Sequence, residues 1–108
     1  MEALILYSTW PGQDEAERAA RMLIERHLAG CVTLIPQARS FYRWEGEIQA
    51  DAEVVMLAKT SAEAAPAARE ALLGAHPYDL PCILALKANP AASHAAYLQW
   101  LSDETNGP

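Results

Sequence analysis

The side chains with the greatest capacity for chemistry are few and widely spaced. Two cysteines, Cys31 and Cys82, lie far apart in the sequence, and their spacing matches neither a metal-binding nor a redox motif. His76 precedes a loop bounded by Pro77 and Pro81, and Cys82 follows that loop directly. A thiolate and an imidazole brought together there could form a Cu(I) site, because soft ligands select that ion. His76 and Cys82 are therefore the candidate metal ligands.

A structural role for the same residues is the alternative. The His76 ring could hydrogen-bond its own loop and position Pro77 instead of binding a metal. Cys31 follows a predicted helix end and is expected to be a small, buried hydrophobic residue. A Cys–His nucleophile would need an orienting third group and oxyanion donors, and the sequence marks neither. There is also no phosphate-binding loop or metal-hydrolase spacing, so we predict that the chain is not an enzyme.

A second group of candidates combines aromatic rings with one positive charge. Its members are Tyr42, Trp44, Lys59, Tyr78 and Trp100. Aromatic residues at a hairpin tip and in a proline-bounded loop could line a cleft between subunits, where Lys59 would bind an anion. The alternative is that these side chains anchor an interface, which is a common role of aromatic residues.

The charge of the chain limits the class of partner. There are 14 acidic and 8 basic residues, and the basic ones are too scattered to follow a phosphate backbone, so no nucleic acid is expected. The acidity weakly favours cations near the surface. Glu45 and Glu47 flank Gly46 in a predicted turn, are expected to face water, and offer at most a weak contact for a hard cation.

The length of the chain fits one domain, spanning residues 1–108. Hydrophobic residues make up 52% of it, enough for a core without disulfides. No apolar stretch approaches the roughly 20 residues that span a bilayer, so no membrane is expected. The segment Met1 to Ile5 has no basic region before its apolar residues, which argues against a signal peptide. A reduced, cytoplasmic location is therefore predicted.

Strand and helix patterns alternate along the chain, and these elements must position the candidates. Strand-like runs span residues 3–9, 31–42, 48–60 and 83–86. Helical spacing of apolar residues runs from Ala16 to Leu28, with Gly30 as the predicted C-terminal cap. A second helix, ending near Ala75, follows capping-box spacing that starts at Thr60. A last helix is predicted from about Ser93 to Glu104.

The order βαββαβ plus a terminal helix predicts a ferredoxin-like α+β fold with an antiparallel sheet. The first and third strands have the most continuous apolar runs and are expected to be central. Pro36 removes a donor from the second strand, which places that strand at an edge or gives it a bulge. The second and third strands form a long hairpin that two short helices cannot cover. Self-association would cover it.

Five segments resemble the CutA family of divalent-cation tolerance proteins. They are Leu28–Pro36, the S-x-Y-x-W-x-G segment within Ser40–Ile48, Lys59-Thr60, the H-P-Y-x-x-P loop from His76 to Pro81, and Tyr97–Trp100. The segments occur in the family's order and cover essentially the whole chain.

This resemblance implies a homotrimer joined through the long hairpins and similar in shape to PII signalling trimers. It implies a cytosolic protein linked to copper and other divalent cations, with no agreed enzymatic activity. Copper coordination in the family is associated with a cysteine at the end of the first strand and adjacent histidines before the H-P-Y loop. Here Ser8 and Ala75 occupy two of those positions, and only His76 is kept.

Three functions are consistent with these patterns. The first is a trimeric tolerance protein that binds copper or another divalent cation, favoured by the family resemblance and the acidity. The second is a PII-like sensor that binds a small anionic ligand at clefts between subunits. The third is a non-catalytic trimeric scaffold.

Overall fold

The computed structural model describes residues 2–106, so the ends of the predicted domain 1–108 lie outside it. Four strands alternate with three helices. The strands are β1 (Ala3–Trp10), β2 (Cys31–Trp44), β3 (Glu47–Ser61) and β4 (Ile83–Lys87). The helices are α1 (Gln13–Glu25), α2 (Ala65–Ala75) and α3 (Ala95–Glu104). The predicted βαββαβ order with a terminal helix is confirmed.

The strands form one antiparallel sheet in the order β2-β3-β1-β4. The first and third strands are central, as predicted. β2 and β3 have 14 and 15 residues, well above the roughly 5–6 of an average strand. Glu45 and Gly46 join them with φ angles of 50° and 81°, because a two-residue hairpin turn of this kind requires positive φ at both positions.

The prediction made from Pro36 is confirmed in both of its forms. β2 is an edge strand, and its register with β3 shifts between Ile35 and Ala38. Gln37 takes a φ of 66° within this bulge. The shift interrupts the ladder where a proline cannot donate a hydrogen bond.

Side-chain alternation gives the sheet two different faces. One face carries Leu6, Trp10 and Met56 and packs against α1 and α2. The other, which we call the open face, carries the odd-numbered residues of β1 and β3 and their partners. α3 covers one end of it through Leu98 and Leu101. The rest of the open face has no covering helix or strand among residues 2–106.

The first helix ends before the predicted cap. α1 stops at Glu25, and His27 takes the left-handed φ of 57° that Gly30 was predicted to supply. The His27 N–H bonds to the carbonyl of Ile24 at 3.1 Å and closes the helix. Gly30 has a different role: a Cβ there would lie 2.9 Å from the Leu101 side chain. Its missing side chain lets α3 pack closely.

The second helix also begins differently from the prediction. The Thr60 hydroxyl does not cap it but donates to the carbonyl of Leu28 at 2.7 Å. The Ser61 hydroxyl accepts the N–H of Ala64 at 3.2 Å, just before α2. Pro66 lies in the first turn, where its missing N–H is harmless. The capping-box prediction fails because β3 continues through its first two positions.

Candidate functional site

His76 fixes the loop after α2 to the end of β1. Its side chain is buried, Nε2–H donates to the Thr9 carbonyl at 2.7 Å, and Nδ1 accepts the Tyr78 N–H at 3.2 Å. These partners set the tautomer, because a carbonyl only accepts and a backbone N–H only donates. The ring also packs 4.2 Å from Trp10 and 4.8 Å from Tyr78, centroid to centroid. Both ring nitrogens therefore have protein partners.

Ser8, which stands where the family's cysteine is expected, lies on β1 two residues before Trp10. It is fully buried and accepts the indole N–H of Trp10 at 2.8 Å. Ser8 pairs with Met56 on the helix-covered face of the sheet. Its hydroxyl therefore supports the buried Trp10 and does not line the surface on which the remaining candidates lie.

A cleft of about 740 Å³ lies between the hairpin and the loop after α2. Four aromatic rings line it: Tyr7, Tyr42, Trp44 and Tyr78. Its acidic lining residues are Asp51, Glu53 and Asp79, and Arg43 and Cys82 also contribute. We call it the acidic cleft. Its strand residues, Arg43 excepted, belong to the open face.

Two tyrosines of the acidic cleft are hydrogen-bonded to two of its carboxylates. The Tyr42 hydroxyl donates to Asp51, and the Tyr78 hydroxyl donates to Glu53 at 3.1 Å. Asp51 and Glu53 are two residues apart on β3, so they share one face of the sheet. Glu53 is only 6% exposed. No basic side chain among residues 2–106 forms an ion pair with either carboxylate.

Burial and these carboxylates together raise the pKa values of their neighbours. Burial, and then the hydrogen bond to Glu53, raises the pKa of Tyr78 to about 12. The hydrogen bond to Asp51 is the main cause of the raised pKa of Tyr42. Burial, followed by the charge of Glu53, raises the pKa of the Cys82 thiol. At neutral pH the phenols and the thiol therefore stay uncharged.

The structure divides the second group of predicted candidates between two places. Tyr42, Trp44 and Tyr78 line the acidic cleft, as does the metal candidate Cys82. Lys59 is six residues from Glu53 along β3, about 20 Å of strand. Within one subunit, Lys59 is therefore separated from Tyr42, Trp44 and Tyr78, three of the aromatic residues with which it was predicted to bind an anion.

Lys59 lies instead in a second polar group, which we call the basic cluster: Cys31, Thr33, Lys59 and Tyr97. The Lys59 ammonium donates to the Thr33 hydroxyl at 2.9 Å and lies 3.5 Å from the Cys31 sulfur. Burial, and then a hydrogen bond with Cys31, raises the pKa of Tyr97. Trp100 packs on Tyr97, with 5.5 Å between ring centroids. Cys31 is half-buried among these polar neighbours instead of fully buried as predicted.

The surroundings of His76 and Cys82 bear on the copper site predicted from the sequence. Within the described range 2–106, no three His, Cys, Asp or Glu side chains are grouped so as to hold a metal ion. His76 has both nitrogens engaged. The raised pKa of Cys82 disfavours the thiolate that binds Cu(I). Asp51 and Glu53 instead offer oxygen ligands, which harder cations prefer.

Sequence reasoning missed Asp51 and Glu53. They look like ordinary surface acids next to Ala50 and Ala52. The sequence did contain one signal. Asp51, Glu53 and Val55 are alternate residues of one strand, so their side chains lie on the same face of the sheet. The bulge in β2 and the His76 loop, which enclose these carboxylates, are not visible in that pattern.

Comparison with known proteins identifies the family. Residues 4–104 match the model of the CutA1 divalent ion tolerance proteins. The chain belongs to the CutA1 family. It is 39% identical over 105 residues to the divalent-cation tolerance protein CutA of Thermus thermophilus, covering 97% of this chain and 99% of that protein. It is 37% identical to human protein CutA over 92% of this chain but spans only 54% of the human protein.

Solved CutA structures have the same fold as this family member. CutA from Xylella fastidiosa superposes with a TM-score of 0.92 at 36% identity, covering 97% of this chain and 99% of that one. The PII-like protein CutA from Nostoc sp. PCC 7120 gives 0.88 at 32% identity, covering 97% of each. These names describe cation tolerance and a likeness to PII, and not a reaction.

The comparisons leave the cellular location of this CutA1 protein as a prediction. One similar structure, from Archaeoglobus fulgidus, is named a periplasmic divalent cation tolerance protein; its TM-score is 0.90 at 35% identity, over 95% of this chain and 98% of that one. Over residues 2–106, no helix has the length and apolar character needed to cross a membrane. The cytoplasmic location expected from the sequence stays a prediction.

Proposed function

We propose that this CutA1 family member is a non-catalytic, homotrimeric tolerance protein that binds divalent cations in the acidic cleft. Glu53 carries the proposal. It is a buried carboxylate that lines the cleft and has the Tyr78 hydroxyl, but no ion-pair partner, among residues 2–106. Burying a charge without a counter-charge is unfavourable, and a bound cation would offset that penalty. Family membership supplies the class of cation.

Carboxylate ligands fit this subunit better than the imidazole. Asp51 and Glu53 each accept one tyrosine hydroxyl and keep further lone pairs for a cation. Ligation through His76 would break its hydrogen bond to Thr9 or to Tyr78 and release the loop that forms one wall of the cleft. Cu(II), Zn(II) and harder divalent ions all accept oxygen ligands, so the site does not depend on a thiolate.

Two features of the subunit support self-association. Two carboxylates are fewer than the four to eight or so ligands that these ions take, so water or a neighbouring subunit would supply the rest. The hairpin tip exposes apolar side chains that the subunit itself does not cover, with Phe41 and Ile48 at 70% and 72% exposure. Such surface is typical of an interface. Light scattering should therefore give three times the 11.8 kDa subunit mass.

Titration calorimetry with Cu(II) and Zn(II) tests the cation site. The trimer should bind in a saturable way, near one ion per subunit. Glu53→Gln and Asp51→Asn should each weaken binding by about tenfold or more, because each removes a charged ligand. Glu47→Gln is the matched control, since it removes a carboxylate from the same strand at the exposed turn. Equal affinities in all three variants would exclude the cleft as the site.

The same titration tests the metal pair predicted from sequence. If His76 and Cys82 were the ligands, His76→Ala would lose about tenfold in copper affinity while Glu53→Gln would not. Cys82→Ser would then weaken Cu(I) more than Cu(II). Near-ultraviolet circular dichroism of His76→Ala separates loss of a ligand from loss of the folded loop. We expect the carboxylate variants to give the larger effect.

A PII-like sensor for a small anion is the second candidate function. Lys59 favours it, because its half-buried ammonium contacts a hydroxyl and a thiol but no carboxylate among residues 2–106. One similar structure is itself named PII-like. Phosphate or a small dicarboxylate that protects Lys59 from acetylation in the trimer would support this function. Unchanged acetylation, together with silent cation titrations, would leave the non-catalytic scaffold.

A further inference from the structure

We infer that the acidic cleft binds an organic ammonium ion, with its charge next to Glu53 and its alkyl groups against the aromatic rings of the cleft. The inference rests on the proposed function in one respect, namely that the cleft is a cation site. It goes further by stating which cation the walls of the cleft recognise.

The size of the cleft exceeds the needs of a bare metal ion. Its volume of about 740 Å³ lies within the roughly 300–1,000 Å³ of sites for small organic molecules. A metal ion bound to Asp51 and Glu53 would leave most of this space to water. A ligand with several carbon atoms would displace that water from apolar walls.

The walls of the acidic cleft present the faces of aromatic rings, whereas two of its tyrosines have no hydroxyl proton free for a ligand. Tyr42 and Tyr78 direct their hydroxyl protons to Asp51 and Glu53, so these phenols have no proton left to donate to a ligand. Their rings and the ring of Trp44 still line the cleft. Aromatic faces attract ammonium groups within about 6 Å of the ring centroid, and several such faces together form the usual site for alkylated ammonium ions.

Glu53 supplies a negative charge that is not neutralised inside the subunit. Tyr78 donates to one carboxylate oxygen, and no second hydrogen bond to Glu53 is present among residues 2–106. No fully shielded side-chain nitrogen or oxygen in that range lacks a partner, so the second oxygen is not sealed off. Glu53 lines the cleft, so this oxygen is open to it. An ammonium ion needs this contact alone, whereas a divalent metal needs more ligands.

The other charged residues of the cleft favour the same sign of ligand. Asp51 and Asp79 add two carboxylates to Glu53. Arg43 is the one basic residue among those that line the cleft, and its guanidinium donates to the carbonyl of Gly46 at the hairpin turn, 3.4 Å away. Three carboxylates against one guanidinium leave the cleft negative, which repels anions and attracts cations.

The test uses choline and its uncharged isostere 3,3-dimethylbutan-1-ol as probes. Both have the same shape, so their difference isolates the positive charge. Titration calorimetry of the full-length trimer at constant ionic strength should show saturable choline binding, with the neutral alcohol about tenfold weaker. Glu53→Gln should weaken choline binding by about tenfold, and Glu47→Gln should not change it. Equal binding of choline and the alcohol would overturn the inference.

A second variant keeps the test informative if Glu53→Gln fails to fold. Trp44→Leu changes a half-exposed ring in the hairpin that is outside the buried core. It should weaken choline binding more than divalent-cation binding, because only the organic ion contacts the ring. Unchanged choline affinity in Trp44→Leu would contradict the inference.

The inference and the proposed function fail in different ways. Absent choline binding with intact Zn(II) binding would contradict the ammonium site alone. Choline binding without any divalent-cation binding would contradict the proposed divalent-cation site alone. A trimer that binds neither ion in the wild type would overturn both.

Discussion

The two ends of the open face carry opposite charges. At one end, the buried Glu53 accepts a hydroxyl from Tyr78 in the acidic cleft. At the other, Lys59 donates to Thr33 in the basic cluster. Both charges lie on β3, six residues apart, and neither is in an ion pair among residues 2–106. A single strand therefore presents a negatively charged end and a positively charged end.

The two ends differ in the element that holds the tyrosine of each polar group. A tyrosine lies beside each charge, but Tyr78 is held by a loop and Tyr97 by a helix. The loop depends on His76, whereas α3 depends on its packing against the end of the sheet. The cleft should therefore be the more sensitive end to loss of a single buried hydrogen-bonding group.

The largest effect is expected for His76→Ala. This change leaves the Thr9 carbonyl and the Tyr78 N–H without their partners and removes a ring packed on Trp10. We expect a loss of about 2–4 kcal/mol in the free energy of unfolding, measured by urea denaturation. Lys59→Met, the counterpart at the basic end, should lose about 1 kcal/mol or less because it is half-exposed. Equal losses in the two variants would contradict the expectation that the cleft is the more sensitive end.

An intermediate effect is expected for Tyr78→Phe at high pH. The pKa of Tyr78 is raised from 10.0 to about 12 in the folded state, so the folded protein binds the phenolic proton more tightly than the unfolded chain. The resulting stability is complete below pH 10 and is lost as the pH rises toward 12. Between those values, the unfolding free energy of the wild type should fall more steeply than that of Tyr78→Phe. Parallel curves would show that burial and Glu53 do not raise the pKa of Tyr78 in the folded protein.

The long-range pattern of the fold could be predicted from the sequence, but the contents of the site could not. Apolar runs and Pro36 were sufficient for the strand order and the bulge, because burial and a missing donor act locally. The predicted cap of the first helix was wrong. Gly30 packs against α3, and His27 takes the positive φ that ends the helix. The role of Glu53 was missed, because it depends on a loop that contacts it from 25 residues away.

The smallest effect is expected for Lys59→Met on the affinity for cations. Lys59→Met should leave divalent-cation and choline affinity within experimental error of the wild type. The two ends are about 20 Å apart along the strand, beyond the roughly 8 Å over which exposed charges interact at physiological ionic strength. Calorimetry on both proteins checks this. A severalfold rise in cation affinity would mean that the two ends meet across a subunit interface.

Calorimetric titration of wild type and Glu53→Gln with Zn(II), at an oligomer mass confirmed by light scattering, tests the central claim most directly. The account predicts saturable binding to the wild-type trimer and an affinity about tenfold or more lower in the variant, with the mass unchanged. Equal binding by two trimers of equal mass would show that the acidic cleft is not the cation site.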